Sequence, residues 1–308
     1  MKMSPPSILI VGAGELGTAV LEALLSHPKR DNAKIGMLRR ASTLNSPNPA
    51  IKAENNRLTS LGITLEEGDF VSSPLPSLTA VFKNYHTIIQ CAGFGLPPGT
   101  QTRVTDAILQ AGVPRYFPWQ FGLDYPSIGQ GSQQDLFDEM LLVREKLATQ
   151  SKTSWTVVST GLFMSFLLNV PEFGVVDLKQ RKVTALGGWG NRVTVTAPGD
   201  IGRMVAEMVY VPEGTVDEVV FVAGDTVSYG EVADVLERVY GVEFERGVLS
   251  LEDSKVELEG KPDDGMAKYR GVFSAGKGTA WDMERTVNHQ RGIELMSLEE
   301  YVRGNRST

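Results

Sequence analysis

The chain has 308 residues, of which 42% are hydrophobic and 22% charged, a composition that excludes a disordered or fibrous protein and is long enough for a large core. Its net charge of −7 and lack of a basic stripe speak against nucleic acid as a partner. A single cysteine, Cys91, excludes an internal disulfide framework and suits a reducing compartment.

With only a short polar stretch before the first apolar run, no signal peptide is expected. The longest apolar run, from Gly161 to Leu168, is too short to cross a membrane. The expectation is a cytoplasmic protein that engages neither membrane nor nucleic acid.

Residues 8–11, Ile-Leu-Ile-Val, read as a buried parallel strand, and Gly12, Gly14 and Gly17 follow at the G-x-G-x-x-G spacing before a helical pattern from Thr18 to Leu25. In that setting Gly12 makes the tight turn and Gly14 lets a pyrophosphate approach the backbone. Gly17 permits close helix–sheet packing, while Glu15 and Leu16 lie at the helix N-terminus, whose N–H groups face the phosphates. Residues 33–38 read as the second strand and end at Arg39-Arg40. An acid at this place would accept the ribose 2′-hydroxyl of NAD. Two arginines instead match the 2′-phosphate of NADP, so the expected cofactor is NADP(H).

Residues 41–49 form a polar, proline-rich stretch expected as a loop over the adenosine end. Helix at 51–60, a short strand within 62–69, helix at 75–82 and strand at 86–91 follow. Cys91, Ala92 and Gly93 stand at that strand's carboxyl end, where close cofactor approach is expected, with Phe94 next. A helix over 101–110, a strand at 115–117 and the aromatic stretch 118–125 come next. A helix over 133–150 places Leu136, Phe137, Met140, Leu141, Val143 and Leu147 on its apolar positions. A sixth strand at 154–159 completes a doubly wound α/β pattern of the Rossmann type, so residues 1–160 are expected as the dinucleotide-binding domain.

Residues 161–308 are expected as a smaller substrate-binding or lid region with segments returning to the core. Residues 181–186 and 192–196 flank a glycine-rich turn and read as a hairpin. Asp200 is placed to cap a helix over 200–210, residues 218–222 read as a strand rejoining the main sheet, and 229–239 and 251–258 read as helices.

These features resemble the isoflavone reductase-like, or NmrA-like, group of atypical short-chain dehydrogenases. The likeness covers most of the first 170 residues. It rests on the glycine motif, Arg39, Gly68-Asp69, Gln101 opening a helix that ends Ala111-Gly112-Val113, and above all Arg115-Tyr116-Phe117-Pro118-Trp119-Gln120-Phe121-Gly122-Leu123-Asp124, which is similar to the family's R-F-F-P-S-E-F-G-x-D block. Phe137 before Val143-Arg144, and the run from Trp155 to Thr160 before Gly161-Leu162-Phe163, also fit the family's spacing. The W-Q-F-G variant resembles a microbial branch described as aromatic alcohol reductases.

The resemblance implies an NADPH-dependent reductase of a small aromatic or phenolic compound. It equally admits a dinucleotide-binding redox sensor or regulator without turnover. It adds Gln101, Pro118, Trp119 and Phe121 to the cofactor site. Candidates for the substrate wall are Phe94, Trp119, Gln120, Tyr125, Thr160, Phe163 and Phe166, some of which read equally well as core.

The departures bear on chemistry. The family lysine lies three residues past a phenylalanine, and here that position is Met140, a thioether that exchanges no proton. The block's serine and glutamate are Trp119 and Gln120, and no tyrosine has a lysine four residues on. The proton donor therefore stays open between Tyr125, Asp124, a ribose hydroxyl and water. No histidine or cysteine spacing suggests a metal.

Overall fold

The structure, a computed structural model, describes residues 7–131 and 135–306. In chain order its strands are β1 (Ser7–Val11), β2 (Lys34–Arg39), β3 (Thr64–Glu67), β4 (Thr87–Gln90), β5 (Arg115–Phe117), β6 (Ser154–Ser159), β7 (Leu162–Phe163), β8 (Val176–Asp177), β9 (Lys182–Leu186), β10 (Arg192–Thr196), β11 (Glu218–Phe221), β12 (Asp225–Ser228) and β13 (Glu245–Leu249).

Seven strands form the main sheet in the order β11-β6-β5-β4-β1-β2-β3. β1 lies between β2 and β4 and is parallel to both, with Ile10 opposite Met37 on one side and Ile89 on the other. The strand order reverses between β1 and β4, and in such sheets ligands bind at the carboxyl ends beside that reversal. The expected doubly wound α/β fold is present, and 218–221 does rejoin the main sheet.

The chain forms two compact units. One comprises Met1–Trp119, Leu142–Val157 and Gly202–Val219, and the other Gln120–Leu141, Val158–Ile201 and Val220–Thr308. In the first, Leu9, Val11, Ile88 and Tyr116 from the sheet pack with Leu78, Phe82, Val104, Ile108, Val143 and Leu147 from the helices. Val143 and Leu147 belong to the apolar stripe legible in the sequence. The helix that carries them runs Asp138–Ala148, shorter than the expected 133–150; Gln133 and Gln134 lie outside the described residues.

The expected hairpin between 181–186 and 192–196 does not form. β9 pairs in parallel with β13 and antiparallel with β8, whereas β10 pairs antiparallel with β12 and in parallel with β7. The glycine-rich link sends the two strands into different sheets. Asn191 Nδ2 donates to Leu186 O at 3.0 Å and to Ser274 O at 3.1 Å, and a Cβ at Gly187 would lie 2.2 Å from Ser274 O. Pairing with remote strands thus overrides the local turn signal. The helix expected from Asp200 starts two residues earlier, at Pro198, where a missing N–H costs nothing. Asp200 instead accepts a hydrogen bond from Met296 N at 2.7 Å.

Arg115 opens the family-like block on β5, and its role is structural. Its guanidinium is buried and donates to Met208 O at 2.9 Å, in the last turn of the helix Pro198–Tyr210, where carbonyls lack helical partners. It also lies 4.9 Å from the Phe117 ring centroid. Burial pushes its pKa down to about 10, with Asp217 acting in the opposite sense. No helix among the described residues is long and apolar enough to span a membrane. Arg115→Met is expected to lower stability by about 1–3 kcal/mol, because Met208 O loses its donor; a denaturant midpoint shifted down at unchanged slope would show it.

Candidate functional site

The glycine motif turns out to be divided between packing and access. Gly12 ends β1 with φ +109°, and a Cβ there would lie 2.6 Å from Ala92 Cβ. A Cβ on Gly17 would lie 1.9 Å from the Gly12 carbonyl oxygen. Both positions are closed to any side chain. Gly14 is different: a Cβ on it would meet no atom within 4 Å. Gly14 starts the helix Glu15–Ser26 with no side-chain capping bond, so the first-turn N–H groups are presented to whatever lies beyond it. Glu15 is exposed there, while Leu16 and Gly17 are buried.

A cavity of about 390 Å³ opens on this turn. Its walls include Gly12, Ala13 and Gly14, then Arg39 at the end of β2 with Arg40 and Thr43 beyond it, Asp69 and Phe70 from beyond β3, and Ala92 and Leu96 from beyond β4. Arg39 is half-buried and burial lowers its pKa, with Glu54 opposing; its Nε has no hydrogen-bond partner. Arg40 is exposed.

The stretch 41–49, expected as a loop, contains one helical turn, Ala41–Leu44, before the helix Pro49–Ser60. Asn55 Nδ2 ties it down by donating to Thr43 O at 3.0 Å. Asp69 is partly buried, which alone would raise its pKa. Bonds from Val71 N at 2.9 Å and Ser72 Oγ at 2.8 Å, with the Arg40 charge, bring it below the usual carboxylate value.

The end of β4 meets this turn directly, Cys91 N donating to Val11 O at 2.7 Å. Cys91 is buried, and burial pushes its thiol pKa up, which leaves it an unreactive packing residue. Gly93 is forced by contact: a Cβ would lie 2.0 Å from the Trp119 ring and 2.6 Å from Gln101 Nε2. Gln101 and Pro118 are buried, and Trp119 is partly exposed. Phe94 is 52% exposed.

This set fits a phosphorylated dinucleotide. An open glycine and a helix N-terminus without a side-chain cap suit a pyrophosphate, and the arginine fork with its orphaned Nε suits a further phosphate.

The second unit gathers most of the expected substrate residues. Tyr125 packs at a tilt against Phe137 at 4.7 Å, Phe137 meets Tyr269 at 5.7 Å, and Phe166 lies 6.0 Å from Tyr269 and 5.2 Å from Phe173. Tyr269, on the helix Gly265–Ala275, was not legible as part of this row; only folding brings it there, and no spacing in the sequence signals it. Burial, then Tyr125, raises the pKa of its hydroxyl.

Tyr125 is itself buried, its hydroxyl 2.3 Å from where a Gly122 Cβ would stand. Asp124 accepts from Ser127 Oγ at 2.8 Å and lies 3.8 Å from Arg285. Gln120 is buried and donates to Met140 O at 2.9 Å, and Phe121 is buried. Thr160 is buried with Oγ1 unpartnered, while Phe163 lies on β7, opposite Thr196. Met140 is 4% exposed, a packing position. Among the described residues no group of three or more His, Cys, Asp or Glu could hold a metal.

Residues 5–302 match the model of the NmrA-like family. An NmrA-like family domain-containing oxidoreductase from Gibberella moniliformis is 52% identical over 299 residues, covering 96% of this chain and 97% of that protein. The fold is shared with a crystal structure of isoflavone reductase, at TM-score 0.77 and 21% identity over 99% of this chain and all of that one. It is shared too with the leucoanthocyanidin reductase–NADPH binary complex from Vitis vinifera, at TM-score 0.76 and 17% identity over 96% of this chain and 97% of that one.

Two substitutions separate access from packing. Gly14→Ala is expected to keep or slightly raise the melting temperature while weakening NADP+ binding, whereas Gly17→Ala is expected to lower stability and binding together. Calorimetric titration beside thermal melts reads both. Met140→Lys places an unpaired ammonium in the core, and an apparent stability loss of about 3 kcal/mol or more is expected by denaturant titration.

Proposed function

The chain belongs to the NmrA-like family, and we propose that it is a cytoplasmic NADPH-dependent reductase of a small aromatic or phenolic compound. The observation that carries this reading is the cavity in which the open Gly14 face and the helix N-terminus meet Arg39 and Arg40. The helix N–H groups hold the pyrophosphate, and the arginines hold the 2′-phosphate and exclude NAD(H) by leaving their own charge unmatched.

NADPH, when bound, supplies the hydride and the reducing equivalents. The chain's task is then to place a flat substrate and keep water away. Trp119 offers an aromatic face at the carboxyl end of β5, and Gly93 is bare because that ring occupies the space. The Phe137–Tyr269–Phe166 row supports an aromatic substrate, since such surfaces match flat rings at little entropic cost.

Proton delivery falls to Tyr125, Asp124, a cofactor ribose hydroxyl or water. Asp124 already accepts a hydrogen bond from Ser127 Oγ and lies 3.8 Å from Arg285, so its carboxyl group is engaged within the fold. One observation favours a second reading, a dinucleotide-responsive regulator without turnover: where the family reductases carry lysine, the buried Met140 supplies no exchangeable proton.

Purified protein given NADPH and a panel of aromatic aldehydes, enones and quinones is expected to consume NADPH with at least one of them. Binding without consumption across the panel would favour the regulator. Replacing Arg39 and Arg40 together by alanine is expected to weaken NADPH binding about 100-fold, the scale of two charge-assisted contacts, and NADH binding by less than threefold. Equal losses for the two nucleotides would refute the 2′-phosphate role.

A further inference from the structure

A buried run of hydrogen bonds leads from β5, through the end of β4, to the first turn of the helix Thr100–Ala111. Tyr116 Oη donates to Gln90 Oε1. Gln90 Nε2 donates to Gln101 Oε1 at 2.5 Å. Thr105 Oγ1 donates to the Gln101 main-chain oxygen at 2.8 Å and lies 3.4 Å from Tyr116 Oη.

The run has a direction. A phenol has one proton to give, and a carboxamide presents its acceptor and its donors on opposite sides. With Tyr116 donating to its oxygen, Gln90 turns its nitrogen to Gln101, and Gln101 is left with its oxygen toward Gln90 and its nitrogen away. That nitrogen is shielded from solvent and has no acceptor, although Gln101 as a whole is only 4% exposed.

A buried amide donor without an acceptor is costly, so three neighbouring side chains converge on an arrangement that the apoprotein alone does not reward. The place explains it. Gln101 Nε2 lies against Gly93, and Gly93 follows Ala92, which lines the phosphate cavity.

We infer that Gln101 Nε2 donates to an oxygen of the bound dinucleotide in its pyrophosphate-to-nicotinamide portion. Gln90 and Tyr116 are positioning residues that keep the donor side of Gln101 turned toward that oxygen. The inference rests on the dinucleotide reading above and deepens it. It assigns a hydrogen-bond acceptor, rather than a donor or an apolar group, to the part of the ligand beside Gly93.

The test is calorimetric titration of the full-length protein with NADP+, alongside thermal melts of each ligand-free variant. Gln101→Leu is expected to raise Kd about tenfold, the scale of one buried hydrogen bond. Gln101→Glu should raise it further, because a carboxylate donates nothing and repels phosphate. Tyr116→Phe removes one oxygen and leaves the ring; it should raise Kd by about two- to fivefold as Gln90 loses its fixed direction, and it carries the test if the Gln101 variants fail to fold.

Two fragments locate the acceptor. A penalty for Gln101→Leu that persists with 2′-phospho-ADP-ribose but vanishes with 2′,5′-ADP supports a pyrophosphate or adjoining ribose oxygen. A penalty confined to NADP+ supports the nicotinamide end. If every folded variant binds NADP+ within twofold of wild type, whatever its melting temperature, Gln101 is a packing residue and the inference falls alone. If the wild-type protein does not bind NADP+, the dinucleotide reading falls and takes the inference with it.

Discussion

The close approach of β1, the turn after it and the end of β4 is the constraint on which the site depends. Gly12 and Ala92 touch where any Cβ on Gly12 would overlap, and the Gly12 carbonyl touches Gly17 where a second Cβ would overlap. Those contacts bring the start of the helix Glu15–Ser26 to the point where the strand order reverses. The helix N-terminus and the carboxyl ends of the parallel strands can then serve one anionic ligand. Gly14 differs from Gly12 and Gly17, since a Cβ on it would meet nothing within 4 Å.

Charge is arranged around that turn in layers of differing commitment. Arg39 is partly desolvated and Arg40 is exposed, so the pair offers one partly buried guanidinium and one solvated charge. Asp69 shares the cavity, its oxygens accepting from Val71 N and Ser72 Oγ, and its charge acts on that of Arg40. The buried Arg115 is the opposite case. It fastens a helix end to β5, and its place in the family-like block is explained by folding rather than by chemistry.

Much of this was legible along the chain, and the reason differs from part to part. The strand-turn-helix at 8–17 and the alternation up to residue 160 are local patterns, readable because parallel strands buried on both faces are uniformly apolar and the glycine spacing is a property of a single turn. Arg39-Arg40 is readable because it sits a fixed distance after that turn. The failed hairpin shows where this stops. Residues 181–196 carry a turn signal, yet β9 is claimed by β13, about sixty positions away, and β10 by β12. The aromatic row is less legible for the same reason: Tyr269 meets Phe137 and Phe166 only after the chain has folded.

By itself, the sequence determined the fold class, the glycine turn after β1 and the cation at the end of β2, because each follows from short-range spacing and residue chemistry. Only the tertiary structure decided which glycines packing requires, that Met140 is packed in the core, and that Gln90, Gln101 and Tyr116 form one directed run. Those properties depend on which atoms from distant segments come within van der Waals or hydrogen-bonding range, and no periodicity along the chain encodes such distances.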